Sequence, residues 1–361
     1  TPSRAKKRTE MDLLPTDEQN EITNTVRTQL AADFELNDLA ERDWSASVLD
    51  GDIWQRCAEL GWFALGLSEA DGGVGYGLPE EVLLFEQLGR HATPGPFLAT
   101  VLAAHVAAAA GESDLVAAIL GGTARVALAE VEATPVSTAG ALSGGAAPGG
   151  ESTTRLRVTD FGGADLLLVL DGASAILVNA EGLEFSADTS FDPLVPLAVA
   201  AVDLSGERVV CDVNDELVAL RATVLTAAEL AGMAAATTDQ SVEYAKDREQ
   251  FGRPVGSFQA VKHRCADMAV RADAALQLTR LAALAVAGGH DDATFQAESA
   301  RLVATDAAVT NAETNVQNHG GIGFTYEHSA HRYVTRARMR AATAGNRSSH
   351  CADLLAAPSP S

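Results

Sequence analysis

Tyr244 to Gln259 reads Y-A-K-D-R-E-Q-F-G-R-P-V-G-S-F-Q, and it separates two long apolar stripes. Before it, Leu230, Met233, Thr237, Ser241 and Tyr244 recur at steps of three or four. After it come Phe258, Val261, Cys265, Met268, Ala272, Leu276, Thr279, Ala283 and Val286, with Lys262, Asp267, Arg271 and Arg280 off that face. This spacing predicts two amphipathic helices. Gly252 and Pro254 close the first and open the second. Arg248 falls in the predicted last turn of the first helix, where a cation suits the helix dipole.

A second stretch, Gln317 to Phe324, reads Q-N-H-G-G-I-G-F and ends another helical pattern through Phe295, Leu302, Val309, Ala312 and Val316. Gly320, Gly321 and Gly323 allow a helix cap and turn, and also a close approach of backbone to a ligand. The pair R-x-Q-F-G-x-P-x-x-x-F-Q and Q-x-x-G-G-x-G-F-x-x-E, the latter ending at Glu327, resembles the C-terminal domain of the acyl-CoA dehydrogenase family. The resemblance runs from about Asp12 to Leu355 and is strongest from Gly232 to Arg340. It implies that Arg248, Gln250, Phe251, Gln259, Gln317, Gly320 and Gly321 hold the adenosine and pyrophosphate part of FAD, reaching it from a neighbouring subunit. A planar guanidinium suits a diphosphate, and glycine amides suit phosphate oxygens.

With 361 residues, of which 47% are hydrophobic, the chain can fill two or three cores. A net charge of −23 argues against nucleic acid and anionic membrane surfaces. Cys57, Cys211, Cys265 and Cys351 lack metal or C-x-x-C spacing, which suits reduced thiols in the cytoplasm. No run of ~18 apolar residues suggests a membrane span, and no signal peptide is evident. Residues 1–10 are polar and basic and read as a disordered tail or expression remnant ahead of Met11.

The remaining text divides into three units and gives an α+β fold class: an N-terminal helical domain at 11–122, a small middle β barrel or sandwich at 123–218, and a C-terminal four-helix bundle at 219–361. In the first, helices are expected from Asp17 (as cap) to Phe34, Gly51 to Leu60, Glu80 to Gly89 and Phe97 to Ala110. The turn-rich segment Gly61–Gly77 resembles a family segment in which proline usually stands at the place of Ser68. In the second, Arg125–Ala129, Leu156–Thr159, Leu166–Leu170, Ser174–Val178 and Val209–Val213 read as strands. Ser137–Thr154 reads as a flexible Gly/Ala/Ser/Thr loop. In the third, helices are expected at 224–248, 257–288, 293–318 and 327–341.

The resemblance also exposes departures. The two flavin-facing strands of the family carry T-E-P-x-x-G-S-D and W-I-T-N segments. Here the first reads L-A-E-V-E-A-T-P-V, with Ala129 at the threonine position and no G-S-D after Glu130. The second places Arg157 at the tryptophan position and keeps Thr159. The reaction requires a carboxylate base in a dry slot. The two family positions for it fall on Ala344 and on Ala222, with Arg221 and Thr223 alongside, so neither supplies a catalytic base. Glu229, Asp239 and Glu243 are other helix carboxylates, a type that is mostly solvated, and His350 reads as part of a hydrated C-terminal tail.

One account covers these departures: the nucleotide-end motifs are kept, while the ring-end strands and both base positions are lost. The chain thus resembles the non-catalytic partner of heteromeric actinobacterial acyl-CoA dehydrogenases. That implies an α2β2 assembly in which a homologous catalytic subunit carries the base and most of the acyl-CoA contacts, the substrate in several such enzymes being a steroid side-chain thioester. A complete homo-oligomeric enzyme with a relocated base, and a family offshoot without redox chemistry, remain as alternatives.

Overall fold

The computed structural model describes residues 14–34, 51–132, 153–172 and 174–358. The expected tail at 1–10 lies outside them, as does most of the Ser137–Thr154 segment.

The N-terminal helices are α1 (Asp17–Asp33), α2 (Gly51–Glu59), α3 (Leu78–Arg90), α4 (Phe97–Ala110) and α5 (Ser113–Leu120). The cap of α1 is Thr16, one residue before the expected Asp17. Its hydroxyl accepts from the Gln19 amide while the Gln19 side chain accepts from the Thr16 amide. Trp54, Phe63 and Phe97 pack at centroid separations of 4.4–6.1 Å and anchor this unit. Helix α4 is buried along nearly its whole length, so its alanines pack against neighbours on all sides.

The middle unit is one seven-stranded mixed sheet: β1 (Val126–Val131), β2 (Thr154–Thr159), β3 (Leu166–Asp171), β4 (Ser174–Asn179), β5 (Ser186–Asp188), β6 (Leu197–Val202) and β7 (Val209–Asn214). Its order is β5-β6-β2-β1-β3-β4-β7, with β1 and β3 parallel and the other pairs antiparallel. Alternate residues serve two cores. Val126, Leu128, Leu166 and Leu168 join the helices, and Ala127, Ala129, Leu167 and Val169 join a second cluster with Val158 and Ile176. Burial on both faces explains why these strands read as continuous apolar runs.

The C-terminal unit is α6 (Glu216–Asp247), α7 (Gln259–Ala287), α8 (Ala293–His319), α9 (Ala330–Ala341) and α10 (Arg347–Ala356). Helices α6, α7 and α8 pack on one another, α9 packs on α6 and α8, and α10 packs on α8. Both predicted stripes face inward, with Met233, Thr237, Ser241, Met268, Ala272 and Thr279 buried. The polar Thr279 is tolerated because its hydroxyl donates to the Ala275 carbonyl at 2.7 Å. Helix α6 is apolar and long enough to cross a membrane, but 83% of its apolar window is buried inside the fold, so it is the central core helix.

Helix α3 crosses α6 through a reciprocal glycine contact. A Cβ on Gly89 would stand 1.9 Å from the Glu229 carbonyl oxygen, and one on Gly232 would stand 2.0 Å from that of Glu86. Any side chain at either place would force the helices apart. Arg280 closes the same crossing with two bonds to buried Glu86, at 2.9 and 2.7 Å.

Candidate active site and cofactor surface

Arg248 ends α6. It is the C-cap, in extended conformation, and not part of the last turn as the sequence suggested. Its amide donates to the Tyr244 carbonyl at 2.9 Å. A two-residue hairpin follows, with Glu249–Gln250 against Arg253–Pro254. Phe251 sits at its tip with φ 55° and is 92% exposed. The Arg253 guanidinium lies 4.2 Å from the centre of the Phe258 ring, which stiffens the turn into α7.

The glycine turn lies at the same end of the bundle. Gly320 caps α8 with φ 63°, and the His319 ring packs 4.3 Å from that of Tyr244. Asn318 donates to the buried Ser241 hydroxyl at 3.2 Å and accepts from Arg264 at 3.1 Å. The two motifs therefore share one surface, pinned by a polar network between α6, α7 and α8. All seven candidate residues, Arg248, Gln250, Phe251, Gln259, Gln317, Gly320 and Gly321, are exposed on it. The Arg248 guanidinium has no hydrogen bond or ion pair among the described residues. Ile322, Phe324 and Tyr326 add exposed apolar area, the last two at 75% and 83%.

At the other end of the bundle, the positions flagged as departures converge. Glu130 and Arg157 are directly opposed on β1 and β2, with Arg157 Nη2 3.1 Å from Glu130 Oε2. The second oxygen of Glu130 accepts from the Gly345 amide at 3.2 Å. The loop bearing the empty base position is thus tied to the sheet through Glu130, whose other oxygen is held by Arg157 at the family's tryptophan position. Ala344 in this loop has φ 54°, a conformation that L side chains rarely adopt.

Behind the loop lies a continuous buried charge network. Arg301 of α8 is fully buried and donates to the carbonyls of Arg340 (2.9 Å) and Thr343 (2.7 Å), holding the loop from beneath. Burial pushes its guanidinium down to about 10, against the opposing pull of Glu298, Glu130 and Glu229. His350 sits 2.7 Å from Glu298 and 3.3 Å from Arg301. It is buried in α10, so the expectation of a hydrated tail there is corrected.

Glu229, expected to be solvated, is 3% exposed and bonded to Arg340 at 2.8 Å. Asp192 pairs in the same way with Arg336. Asp239 and Glu243 match the solvated reading: their partners are Arg90 and Lys246 on the surface. At the second base position, Ala222 and Thr223 are buried, and Arg221 pairs with Glu81, which His105 also holds at 2.8 Å.

The sequence reading missed Asp160. It directly follows β2 with φ 57°, and burial raises its carboxyl to about 6, opposed by Arg340 and Arg336. Its position directly after the retained Thr159 was the available signal. Arg157 was readable as a charge at an altered ring-facing position. Glu298 and Arg301 were readable as opposite charges three residues apart in an alanine-rich stretch of α8.

The order of a helical N-terminal unit, a mixed sheet and a helical C-terminal bundle defines the class. Residues 16–126 match the acyl-CoA dehydrogenase N-terminal domain and residues 199–357 the acyl-CoA dehydrogenase C-terminal domain. Acyl-CoA dehydrogenase IpdE2 of Mycobacterium tuberculosis is 34% identical over 296 residues, covering 80% of each chain. The chain belongs to the acyl-CoA dehydrogenase family.

Acyl-CoA dehydrogenase FadE34 of the same organism is 36% identical over 340 residues, which are 89% of this chain but only 45% of FadE34. Among solved structures, the ChsE4–ChsE5 complex of M. tuberculosis superposes with a TM-score of 0.76 at 25% identity, covering 97% of this chain and 100% of that one. The Tcur3481–Tcur3483 steroid ACAD gives 0.75 at 25% identity, covering 94% and 97%.

Proposed function

We propose that this chain is the non-catalytic subunit of a heteromeric, FAD-dependent acyl-CoA dehydrogenase. It clasps the ADP half of a flavin whose ring lies in a homologous catalytic partner. The observation that carries this reading is the pairing of Arg157, at the family's tryptophan position, with Glu130, whose other oxygen holds Gly345 beside the vacant base position Ala344.

The nucleotide half of FAD fits the residues present. Arg248 is exposed, has no ion pair among the described residues, and stands three residues before the exposed Phe251. Gly321 has no positive φ, and a Cβ there would meet nothing within 4 Å, so no contact within the chain requires glycine. A phosphate brought close by another subunit supplies that reason. The ring half does not fit. Arg157 puts a charge where the family's tryptophan lies, Ala129 lacks the threonine hydroxyl, and Ala344 offers no carboxylate. FAD, when bound, supplies the hydride acceptor for oxidation of the acyl Cα–Cβ bond. This chain's share is to bind the cofactor's tail, cover it from water, and leave the proton to a carboxylate of the partner.

Two relationships support a partner of similar size. ChsE4–ChsE5 is a two-component complex, and more than half of FadE34 lies beyond the part this chain matches. A steroid side-chain thioester is the substrate favoured by the Tcur3481–Tcur3483 likeness, and a cytoplasmic setting suits the free thiols. Co-expression with the adjacent homologous gene tests the proposal. A co-purifying yellow complex and a colourless lone chain are expected.

A second reading keeps the reaction within this chain, with Asp160 as base. Its raised carboxyl at the end of a ring-facing strand is the observation in favour. Desaturation by the lone chain, abolished by Asp160→Asn, would select it.

A further inference from the structure

The chain has four lysines, at positions 6, 7, 246 and 262. The two outside the N-terminal tail line one cavity of about 510 Å³. That convergence is unexpected in a chain with net charge −23.

The cavity lies in the groove between the end of α6 and the start of α7. Helix α3 fills this groove further along, where Arg280 grips Glu86 and Arg90 reaches Asp239. Beyond Asp239 the groove is open. Val242 and Ala245 form one wall and Val261 and Cys265 the other, and the turn from Pro254 to Ser257 closes the end.

Two lysines border this apolar space. Lys262 is exposed and makes no ion pair among the described residues. Lys246 is paired with Glu243, 2.7 Å away. A ligand carboxylate at the mouth of the groove would pair with Lys262. The volume falls within the range of small-molecule pockets, which pair apolar walls with a few polar groups.

We infer that this cavity is a binding site for an amphipathic monocarboxylate. The apolar body lies between α6 and α7, and the carboxylate meets Lys262 and Lys246. The inference does not depend on how flavin is shared between subunits.

The probe is decanoate, titrated calorimetrically into the full chain and into the chain with its co-purified partner. Saturable binding at one per chain is expected in both, with decanol at least about tenfold weaker because the charge is missing. Lys262→Glu should weaken decanoate binding by about tenfold or more. Val242→Trp, which fills the cavity, should abolish it. Thermal melts confirm that each variant is folded, and Lys262→Gln gives a milder charge change at the same exposed position. Pre-bound decanoate should also slow maleimide labelling of Cys265. The inference is overturned if decanoate does not saturate, if decanol binds equally well, or if folded Lys262→Glu and Lys262→Gln bind as the parent does. It is also overturned if binding is lost in the complex, which would make the groove a subunit contact.

Discussion

Removing Glu229 tests whether the ring end of this chain is a structural core or a chemical site. Glu229 and Arg340 are 3% and 5% exposed, and Arg340 Nε stands 2.8 Å from Glu229 Oε1. Glu229→Ala leaves a buried guanidinium with only the more distant charges of Asp160 and Asp192 to balance it. Breaking a buried pair from one side costs about 3–5 kcal/mol. The two remaining carboxylates place this case near the lower end, at about 3 kcal/mol. Urea unfolding followed by circular dichroism should show that loss as a lower midpoint with an unchanged slope.

The double substitution Glu229→Leu with Arg340→Met removes both charges and keeps apolar volume. It should be far less destabilised than the sum of its single changes, with a coupling of at least ~2 kcal/mol. A loss below ~1 kcal/mol for Glu229→Ala, or strict additivity in the cycle, would refute the buried-pair reasoning. Glu229 would then be free to act elsewhere, and a role as base would reopen.

Other outcomes are expected. Arg248→Ala should weaken flavin retention by the complex by about 10- to 150-fold, from the loss of one charge-assisted contact worth ~1.5–3 kcal/mol. Absorbance of the dialysed complex checks this. Ala344→Glu should give no desaturase activity in the lone chain, measured with a dye acceptor. The new carboxylate adjoins the Glu130–Gly345 bond and takes up a left-handed backbone. For Asp160 the sign follows from a folded value of about 6 against an ordinary 3.8. Its stabilising contribution is complete below the ordinary value and is lost as pH rises through about 6. Asp160→Asn should therefore change little near pH ~4 and gain about 1–3 kcal/mol relative to the parent near pH ~7.5, read from melts across that range.

The helical stripes around Tyr244–Gln259 were legible because a 3.6-residue period survives wherever one face of a helix is buried. The strands β1, β3 and β4 were legible as apolar runs because both faces of the sheet are covered. Strand β6, Leu-Ala-Val-Ala-Ala-Val, was missed because alanine is a poor strand former and Pro193 and Pro196 precede it. Helix α10 was missed for another reason. Its sequence, R-S-S-H-C-A-D-L-L-A, has a weak apolar stripe. Its stability comes from an Asn346 capping box and from His350 docking on Glu298 and Arg301.

The vacant base positions were visible as residue types. That Glu130, Arg157 and Gly345 meet was not, because the contact joins residues on either side of most of the C-terminal bundle. The burial of Glu229 was equally hidden: it depends on the glycine crossing of α3 over α6, which no local pattern encodes.

The shared-cofactor account is tested most directly by counting flavin against each chain in the complex with its homologous partner, using denatured absorbance and quantitative amino-acid analysis. One FAD for every pair of unlike chains, and none on this chain alone, is the predicted result. One FAD on every copy of this chain in isolation, with turnover of an acyl-CoA thioester, would contradict it.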